Sequence, residues 1–238
     1  MGWRVRMAVT FALGLMTGVV RVAPAQDRPW TIGIVGNLTT SSQLYVEPKS
    51  SDPVERSRYV DLTNFFGIGI DLRYDIPDTR IALGLSVERV HVRQSDPLII
   101  SETEFIPVED GYDVVPVELT GYFIIPPSGT IVAIFMGGGV GAYFGQRVYS
   151  TAGLSASLLD SRPGFGIHVC TGVTVRLAGA FSVLAEMKFR DLQFASTNKF
   201  PVSRTTFQGS EVILPSGSLD SSVHTDGITF QIGTAFSF

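Results

Sequence analysis

The sequence has 238 residues, 45% of them hydrophobic, with 18 basic and 22 acidic side chains and a formal net charge of −4. This acidic balance argues against nucleic acid as a partner, because phosphate recognition needs a basic surface. Cys170 is the single cysteine, which excludes an intramolecular disulfide framework and a cysteine-based zinc cluster.

The N-terminus has the features of a secretory signal peptide. Two arginines precede an uncharged apolar stretch at 7–20, and residues 23–25 read Ala-Pro-Ala, a small-x-small cleavage pattern. The apolar stretch is shorter than the roughly 20 residues that a membrane-spanning helix needs. We therefore expect residues 1–25 to be removed and 26–238 to form one all-β domain with 15 basic and 22 acidic side chains.

Eight stretches of the remaining chain alternate between apolar and small or polar residues. They are 30–38, 65–75, 80–92, 113–125, 130–146, 164–177, 180–192 and 228–238. A period of two is typical of a β-strand with two different faces. Each stretch has about the 9–11 residues with which a strand crosses a bilayer at a tilt, or slightly more.

The connections between these stretches alternate in length. Those after the second, fourth and sixth are tight turns, and those after the others are long and polar. The long connections are 39–64, 93–112, 147–163 and 193–224. This rhythm predicts an eight-stranded antiparallel up-and-down transmembrane β-barrel with short periplasmic turns, long extracellular loops and both termini in the periplasm. A sandwich or Greek-key fold gives no reason for it.

The polar faces of the stretches carry four acids and four bases. These predicted inward residues are Asp71, Arg73, Glu88, Glu118, Arg176, Glu186, Lys188 and Arg190. Burying eight charges in the apolar core of a soluble barrel would cost more than their pairing returns. We therefore expect the apolar faces to contact outer-membrane lipid and the charges to pair across a sealed polar lumen, since eight strands leave room only for side chains. His168 is expected in the same lumen with a structural role.

The last stretch places aromatic and branched residues on one face. Phe230, Ile232, Phe236 and Phe238 are expected to act as a C-terminal signal for the barrel-assembly machinery. Periplasmic chaperones are further expected partners during biogenesis. In a closed barrel this strand pairs with the first strand near Trp30. We expect the protein to be a monomer.

Two features interrupt the pattern. Pro116 lies inside the fourth stretch and cannot donate to a strand ladder, which predicts a β-bulge there. Arg89 and His91 fall on the outward face of the third stretch. Either they lie above the membrane or a bulge near Glu88 reverses the faces.

The chain resembles a known group of proteins in several segments. They are the closing strand at 230–238, the segment GGGVGAYFG at 137–145, the segment EMKFR at 186–190, and the signal peptide. In these the chain is similar to the small outer-membrane β-barrel family of Gram-negative envelopes, the eight-stranded relatives of OmpA-type and OmpX-type barrels. The resemblance covers essentially the whole mature chain. It implies a fold and a place in the outer membrane, but no single activity, because the group includes structural proteins, adhesion proteins and a few lipid-modifying enzymes.

One cluster has the residue types of a hydrolase. Ser221, Ser222, His224 and Asp226 lie close together in sequence, but a triad needs a serine, a histidine and a carboxylate brought together in space, and no nucleophile elbow is present. We therefore predict a non-catalytic protein with a structural or surface-binding role through its long loops and without cofactor or metal. A lipid-modifying enzyme (a deacylase or acyltransferase) and a narrow solute channel remain as alternatives.

Overall fold

The structure is a computed structural model that describes residues 28–95, 97–99, 105–126, 129, 131–225 and 227–238. The predicted signal peptide, residues 1–25, lies outside these ranges. No helix within them is both long enough and apolar enough to span a membrane.

Almost all regular structure in these ranges is β-strand. The strands are β1 (Trp30–Tyr45), β2 (Tyr59–Asp75), β3 (Ile81–Ser95), β4 (Leu98–Ile99), β5 (Phe105–Ile106), β6 (Val108–Ile124), β7 (Val132–Thr151), β8 (Leu154–Ser155), β9 (Ser157–Arg162), β10 (Gly164–Ala178), β11 (Phe181–Arg190), β12 (Leu192–Lys199), β13 (Arg204–Phe207), β14 (Ser210–Ile213), β15 (Leu219–Thr225) and β16 (Ile228–Ser237), with one short helix, α1 (Pro53–Arg56).

Eight of these strands form a closed antiparallel barrel. Their order around it is β1, β2, β3, β6, β7, β10, β11 and β16, and β16 pairs back onto β1. Neighbours around the barrel are neighbours among the predicted stretches, as in an up-and-down barrel. The predicted fold class is confirmed.

The barrel closes where the last strand meets the first. Thr31 lies opposite Ser237, and the ladder continues to Thr39 opposite Thr229. The backbone N–H of Phe238 donates to the carbonyl of Trp30 at 2.8 Å, which extends the pairing by one residue. The predicted pairing of the closing strand near Trp30 is confirmed.

Tight turns join the strands at the end of the barrel that carries both termini. Asp78 has a φ of 58° in the turn between β2 and β3, and Gly179 has a φ of 53° between β10 and β11. Aspartate and glycine are among the residues that adopt this left-handed conformation most easily. The register of β10 against β11 shifts between Arg176 and Ala178, directly before the second of these turns.

Large apolar side chains cover the outer surface of the barrel on all eight strands. We call this surface the apolar belt. It includes the exposed side chains of Ile34, Ile70, Leu85, Leu119, Val140, Val169, Phe189 and Ile232. A soluble monomer rarely exposes a contiguous apolar patch of such extent, whereas a membrane barrel needs one.

The strands continue well beyond the predicted stretches at the end away from the termini. We call this part of the barrel the extension. It contains the ends of β1, β2, β3, β6 and β7, together with β9, β12 and β15, which pair in the order β1, β15, β12, β9. The prediction that 39–64, 93–112, 147–163 and 193–224 form long loops is therefore wrong for much of their length. Turn-forming and polar residues interrupt the apolar and polar alternation in these segments, so the pattern does not indicate strands there.

Inside the extension lies an apolar cluster, which we call the plug. Its buried residues are Leu44, Leu62, Phe65, Val90, Val92, Tyr112, Val114, Tyr143, Leu192, Phe194 and Val223. The ring of Tyr112 makes edge contacts with Phe65 and Phe194, and its hydroxyl donates to the Ser42 hydroxyl at 2.9 Å. The extension therefore has an apolar centre, as a water-soluble barrel does, with buried polar residues such as Arg147, Ser196 and Asn198 beside it.

A polar bridge joins two segments of the extension. The Nζ atom of Lys49 lies 2.7 Å from Oδ1 of Asp220, and the hydroxyl of Thr197 donates to the same oxygen at 2.6 Å. Burial by itself raises the pKa of Asp220, but these two hydrogen bonds and the nearby cations outweigh it and lower that pKa. The carboxylate is thus held in its charged form.

Pro116 does not produce the predicted bulge. Val87 lies opposite Val117 and Val90 lies opposite Val114, so the register of β3 against β6 is the same on both sides of the proline. The missing N–H only interrupts the ladder locally, since Pro116 remains opposite Tyr143 of β7. Without a bulge the faces of β3 are not reversed, and Arg89 is exposed on the outer face.

Candidate functional site

The central part of the barrel interior is filled with charged side chains. We call this group the central charge cluster. It comprises Asp71, Arg73, Glu88, Glu118, Glu186, Lys188 and Arg190. They come from inward positions on β2, β3, β6 and β11, where a period of two brings every second residue to the same face.

Lys188 lies at the centre of the cluster and is 1% exposed. Its Nζ atom is 2.8 Å from Oε2 of Glu118, 3.5 Å from Oε1 of Glu186 and 3.6 Å from Oε1 of Glu88. One ammonium group therefore serves three carboxylates from three different strands. A buried charge is tolerated only when it is paired in this way.

Arg190 forms the second bridge between the same strands. Its guanidinium contacts the carboxylate of Glu88, and its Nε atom lies 2.9 Å from Oε1 of Glu118. Glu88 also accepts hydrogen bonds from the side-chain amides of Asn37, at 2.8 Å, and Gln231, at 2.6 Å. The Glu88 carboxylate is thereby held from β1, β11 and β16 at once.

Arg73 carries the cluster toward the end with the termini. Its Nε atom lies 2.8 Å from Oδ1 of Asp71, and its Nη2 atom lies 2.8 Å from Oε2 of Glu186. The guanidinium stacks over the rings of Tyr122, at 4.1 Å, and Phe135, at 4.8 Å. Guanidinium groups favour such aromatic faces as well as paired carboxylates.

A second, smaller apolar cluster lies beyond Arg73. Its buried residues are Val35, Ala82, Tyr122, Phe135, Cys170 and Leu184. The central charge cluster therefore lies between this apolar group and the plug. Alternation alone predicts a polar interior along the whole barrel and misses both apolar layers.

Arg176 lies outside the expected cluster, whereas His168 lies inside the barrel as expected. Arg176 has the inward parity, but it lies exposed at the end of the barrel near the termini, beside a depression that Arg73 and Asp75 also line. His168 is buried, and its Nε2 atom lies 2.8 Å from the hydroxyl of Thr120. The structure thus brings together seven of the eight predicted charged residues and places Arg176 apart from them.

The serine and histidine cluster is partly assembled on the outer face of the extension. The hydroxyl of Ser222 lies 3.1 Å from Nε2 of His224, because residues two apart on β15 share a face. The side-chain nitrogen of Gln193 lies 2.8 Å from the same Nε2 atom. Sequence reasoning misses Gln193, because only the pairing of β12 with β15 places it opposite His224.

The other members of that cluster do not complete a triad in the part of the chain that the structure describes. Ser221 faces inward and shares a 3.0 Å hydrogen bond with Ser196, and Asp226 lies outside the described residues. Among the described residues, no group of three or more His, Cys, Asp or Glu side chains is placed to hold a metal ion. The arrangement at Ser222 and His224 is a polar network with two partners on one ring nitrogen.

Comparison with known proteins gives matches at the level of fold. No protein-family model matches the chain, and no curated protein matches it. The outer membrane protein OprG from Pseudomonas aeruginosa is 15% identical, with a TM-score of 0.56 over 92% of this chain and 99% of OprG. Neisserial surface protein A (NspA) is 9% identical, with a TM-score of 0.51 over 88% of this chain and 97% of NspA. The chain therefore has the fold of the small outer-membrane β-barrel proteins, the group that its sequence resembles.

Proposed function

We propose that this chain is an integral protein of the bacterial outer membrane with a structural or surface-binding role and a sealed lumen. The observation that carries the proposal is an exchange of polarity along β3. In the belt, Val87 faces outward and Glu88 inward, whereas two residues later Arg89 faces outward and Val90 inward. The register of β3 does not shift at this point.

This exchange of polarity has a direct physical interpretation. An outer face that is apolar below Arg89 and polar above it fits a boundary between hydrocarbon and water at that level. The interior changes in the opposite sense, because the extension must bury apolar residues against one another in water. A barrel that was soluble throughout would keep one pattern from end to end.

The contents of the interior support a sealed lumen over a narrow channel. The central charge cluster fills the middle of the barrel with side chains that are mutually paired. The plug and the smaller apolar cluster lie on either side of it. Solute passage would require these layers to separate and leave buried charges without partners.

We assign the surface-binding role to the extension. Its outer end presents the β13–β14 hairpin, on which Ile213 is 74% exposed. Val54 of α1 and Leu159 of β9 are further exposed apolar residues outside the belt. We assign contact with a protein partner to these side chains and the polar residues around them.

The orientation and the assembly signal belong to the same proposal. Short turns at the end that carries the termini favour a periplasmic position for both termini. Phe236 makes an edge contact with Phe181, with ring centroids 5.1 Å apart, and stacks on Phe238. We assign Phe230, Ile232, Phe236 and Phe238 to recognition by the barrel-assembly machinery, since their strand is the one that closes the barrel.

The membrane location predicts a simple electrophoretic result. Protein expressed in a Gram-negative host should fractionate with the outer membrane, and unheated and boiled samples should migrate to different positions on a denaturing gel. The reason is that a closed barrel without free strand edges resists detergent until it is heated. Recovery of a soluble periplasmic monomer would overturn the proposal.

A non-catalytic role predicts that His224→Ala leaves the lipids of the outer membrane unchanged. A serine hydrolase needs a ring nitrogen free to take the serine proton and a carboxylate on the other ring nitrogen, and Gln193 already contacts Nε2 of His224. Lipid extracts from cells that overexpress the wild type, His224→Ala and Ser222→Ala should match the vector control by mass spectrometry. Deacylated or acyl-shifted lipid present only with the wild type would establish the enzyme alternative.

A further inference from the structure

Three basic side chains lie along the outer face of β3, where the apolar belt ends. They are Arg89, His91 and Arg93. The Nη2 atom of Arg93 lies 3.1 Å from Oδ2 of Asp113, and Nδ1 of His91 contacts the other oxygen of that carboxylate. The Asp113 carboxylate is therefore already engaged by two partners.

Arg89 differs from its two neighbours. Its guanidinium has no hydrogen bond, ion pair or ring contact with any residue that the structure describes. It projects from the outer surface two residues beyond Val87, at the next outward position of β3 after that belt residue. An arginine at such a level keeps its charged end in the interfacial region while its stem lies on apolar surface.

Depressions lie on both sides of Arg89. One is bounded by Phe66 and Ile68 of β2. The other, a groove of about 440 Å³, is bounded by Val115 of β6 and Phe144 of β7 and also by the polar side chains of Asp113, Gln146 and Ser161. Phe66 is 71% exposed and Phe144 is 50% exposed, so both rings are open to whatever surrounds the barrel.

We propose that Arg89 binds the phosphate group of a lipid in the leaflet at this end of the barrel, with the acyl chains of that lipid over Ile68 and Val87. A guanidinium forms paired, charge-assisted hydrogen bonds with phosphate oxygens. Ile68 lies opposite Arg89 in the ladder with β2, and Val87 continues the apolar surface along β3 toward the middle of the belt. The occupant thus needs a phosphate and hydrocarbon chains in one molecule. This inference rests on the proposed function, because it needs the belt to lie in a membrane.

The test measures lipid retention on the purified full-length barrel. Wild type, Arg89→Gln and Arg89→Lys are compared by native mass spectrometry in detergent. The probes are bisphosphorylated lipid A against dephosphorylated lipid A, and phosphatidylglycerol against a phosphate-free glycosyl diacylglycerol. Arg89→Gln should lower retention of a phosphate-bearing probe about tenfold, the size expected for loss of one charge-assisted interaction. Arg89→Lys should retain the phosphate-bearing probes less than the wild type and more than Arg89→Gln. An ammonium group keeps the charge but lacks the paired hydrogen-bond geometry of a guanidinium.

Arg204→Gln is the matched control. It removes an exposed arginine from the β13–β14 hairpin, away from the belt, and should retain every probe as the wild type does. Loss with lipid A alone identifies a glycolipid as the occupant, and loss with both phosphate-bearing probes identifies the phosphate as the recognised group. The inference would be overturned if the wild type and Arg89→Gln retained the phosphate-bearing probes equally. It would also be overturned if the wild type retained phosphate-free probes as well as phosphate-bearing ones.

A failure of the lipid site can be told apart from a failure of the membrane location. The wild type and Arg89→Gln are first tested for outer-membrane fractionation and heat-modifiable migration, which the inference expects to be the same for both. A wild type that fails this step contradicts the membrane proposal. A wild type that passes it and shows no dependence on Arg89 contradicts only the lipid site.

Discussion

Replacing Lys188 by methionine should lower the free energy of unfolding by about 3–5 kcal/mol, the cost of removing one partner from a buried ion pair. Methionine keeps much of the length of the side chain but removes the ammonium group. Glu88, Glu118 and Glu186 then share one fewer cation in a space from which water is excluded. Urea unfolding in lipid vesicles, followed by tryptophan fluorescence, measures the change.

Lys49→Met provides the matched control for this experiment. Lys49 also pairs with a carboxylate, that of Asp220 at 2.7 Å, but its side chain is 62% exposed. A surface ion pair of this kind contributes about 0–1 kcal/mol. Equal effects of the two substitutions would show that Lys188 is hydrated and that the lumen is open.

A double substitution keeps the prediction testable if Lys188→Met does not fold. Adding Glu118→Gln removes the carboxylate nearest to the lost ammonium group while keeping the shape of the side chain. The double variant should therefore be more stable than Lys188→Met alone, and it should fold under milder conditions. A double variant less stable than the single one would contradict the charge-balance argument.

The central charge cluster was accessible to sequence reasoning because it depends only on parity. Glu186, Lys188 and Arg190 are spaced by two, so a strand must place all three on one face. Whether that face is inside followed from the apolar side chains on the other face. Parity does not predict the position of a residue along the barrel axis. Arg176 shares the inward parity, but it lies too near the end of the barrel that carries the termini to join the cluster.

The extension was not accessible in the same way. Two of its strands, β1 and β2, depart from regular alternation at the point where the barrel leaves the belt. Asn64 takes a φ of 55° there, and the partner of β1 changes from β16, with Thr39 opposite Thr229, to β15, with Gln43 opposite His224. A break of this kind moves the inward set of residues by one position, so a period-two pattern appears to stop although the strand continues.

The contacts outside the barrel interior depend on pairing rather than on pattern. Gln193 meets His224 only because β12 lies beside β15, and no local feature of either segment specifies that neighbour. At Pro116 a local rule predicted a feature that is not present. The rule predicted a β-bulge, but the pairing of β6 with β3 and with β7 keeps a constant register there. Tertiary context decides both cases.

Replacing Ile70 by arginine should destabilise the barrel in lipid vesicles by about 2–4 kcal/mol, the cost of a cation on the lipid face near the bilayer midplane. Ile70 lies midway along the outward face of β2 in the belt, between Phe66 and Tyr74, and is 55% exposed. Exposure alone gives no reason for such a cost, because arginine at an exposed position in water is usually neutral within about 0.5 kcal/mol. The effect thus measures the medium around the belt.

The same substitution at Ile213 is the matched control. It makes the same side-chain change at a position in water, so any difference from Ile70→Arg comes from the surroundings of the belt. Ile213 is 74% exposed on the β13–β14 hairpin of the extension, where the proposal places water. Ile213→Arg should leave the urea midpoint in vesicles nearly unchanged, while Ile70→Arg lowers it clearly. The difference should shrink as bilayers are made thinner, because the arginine at position 70 then reaches the interface at less cost. Similar small effects at both positions would show that the belt does not face hydrocarbon, and the membrane proposal would fail with it.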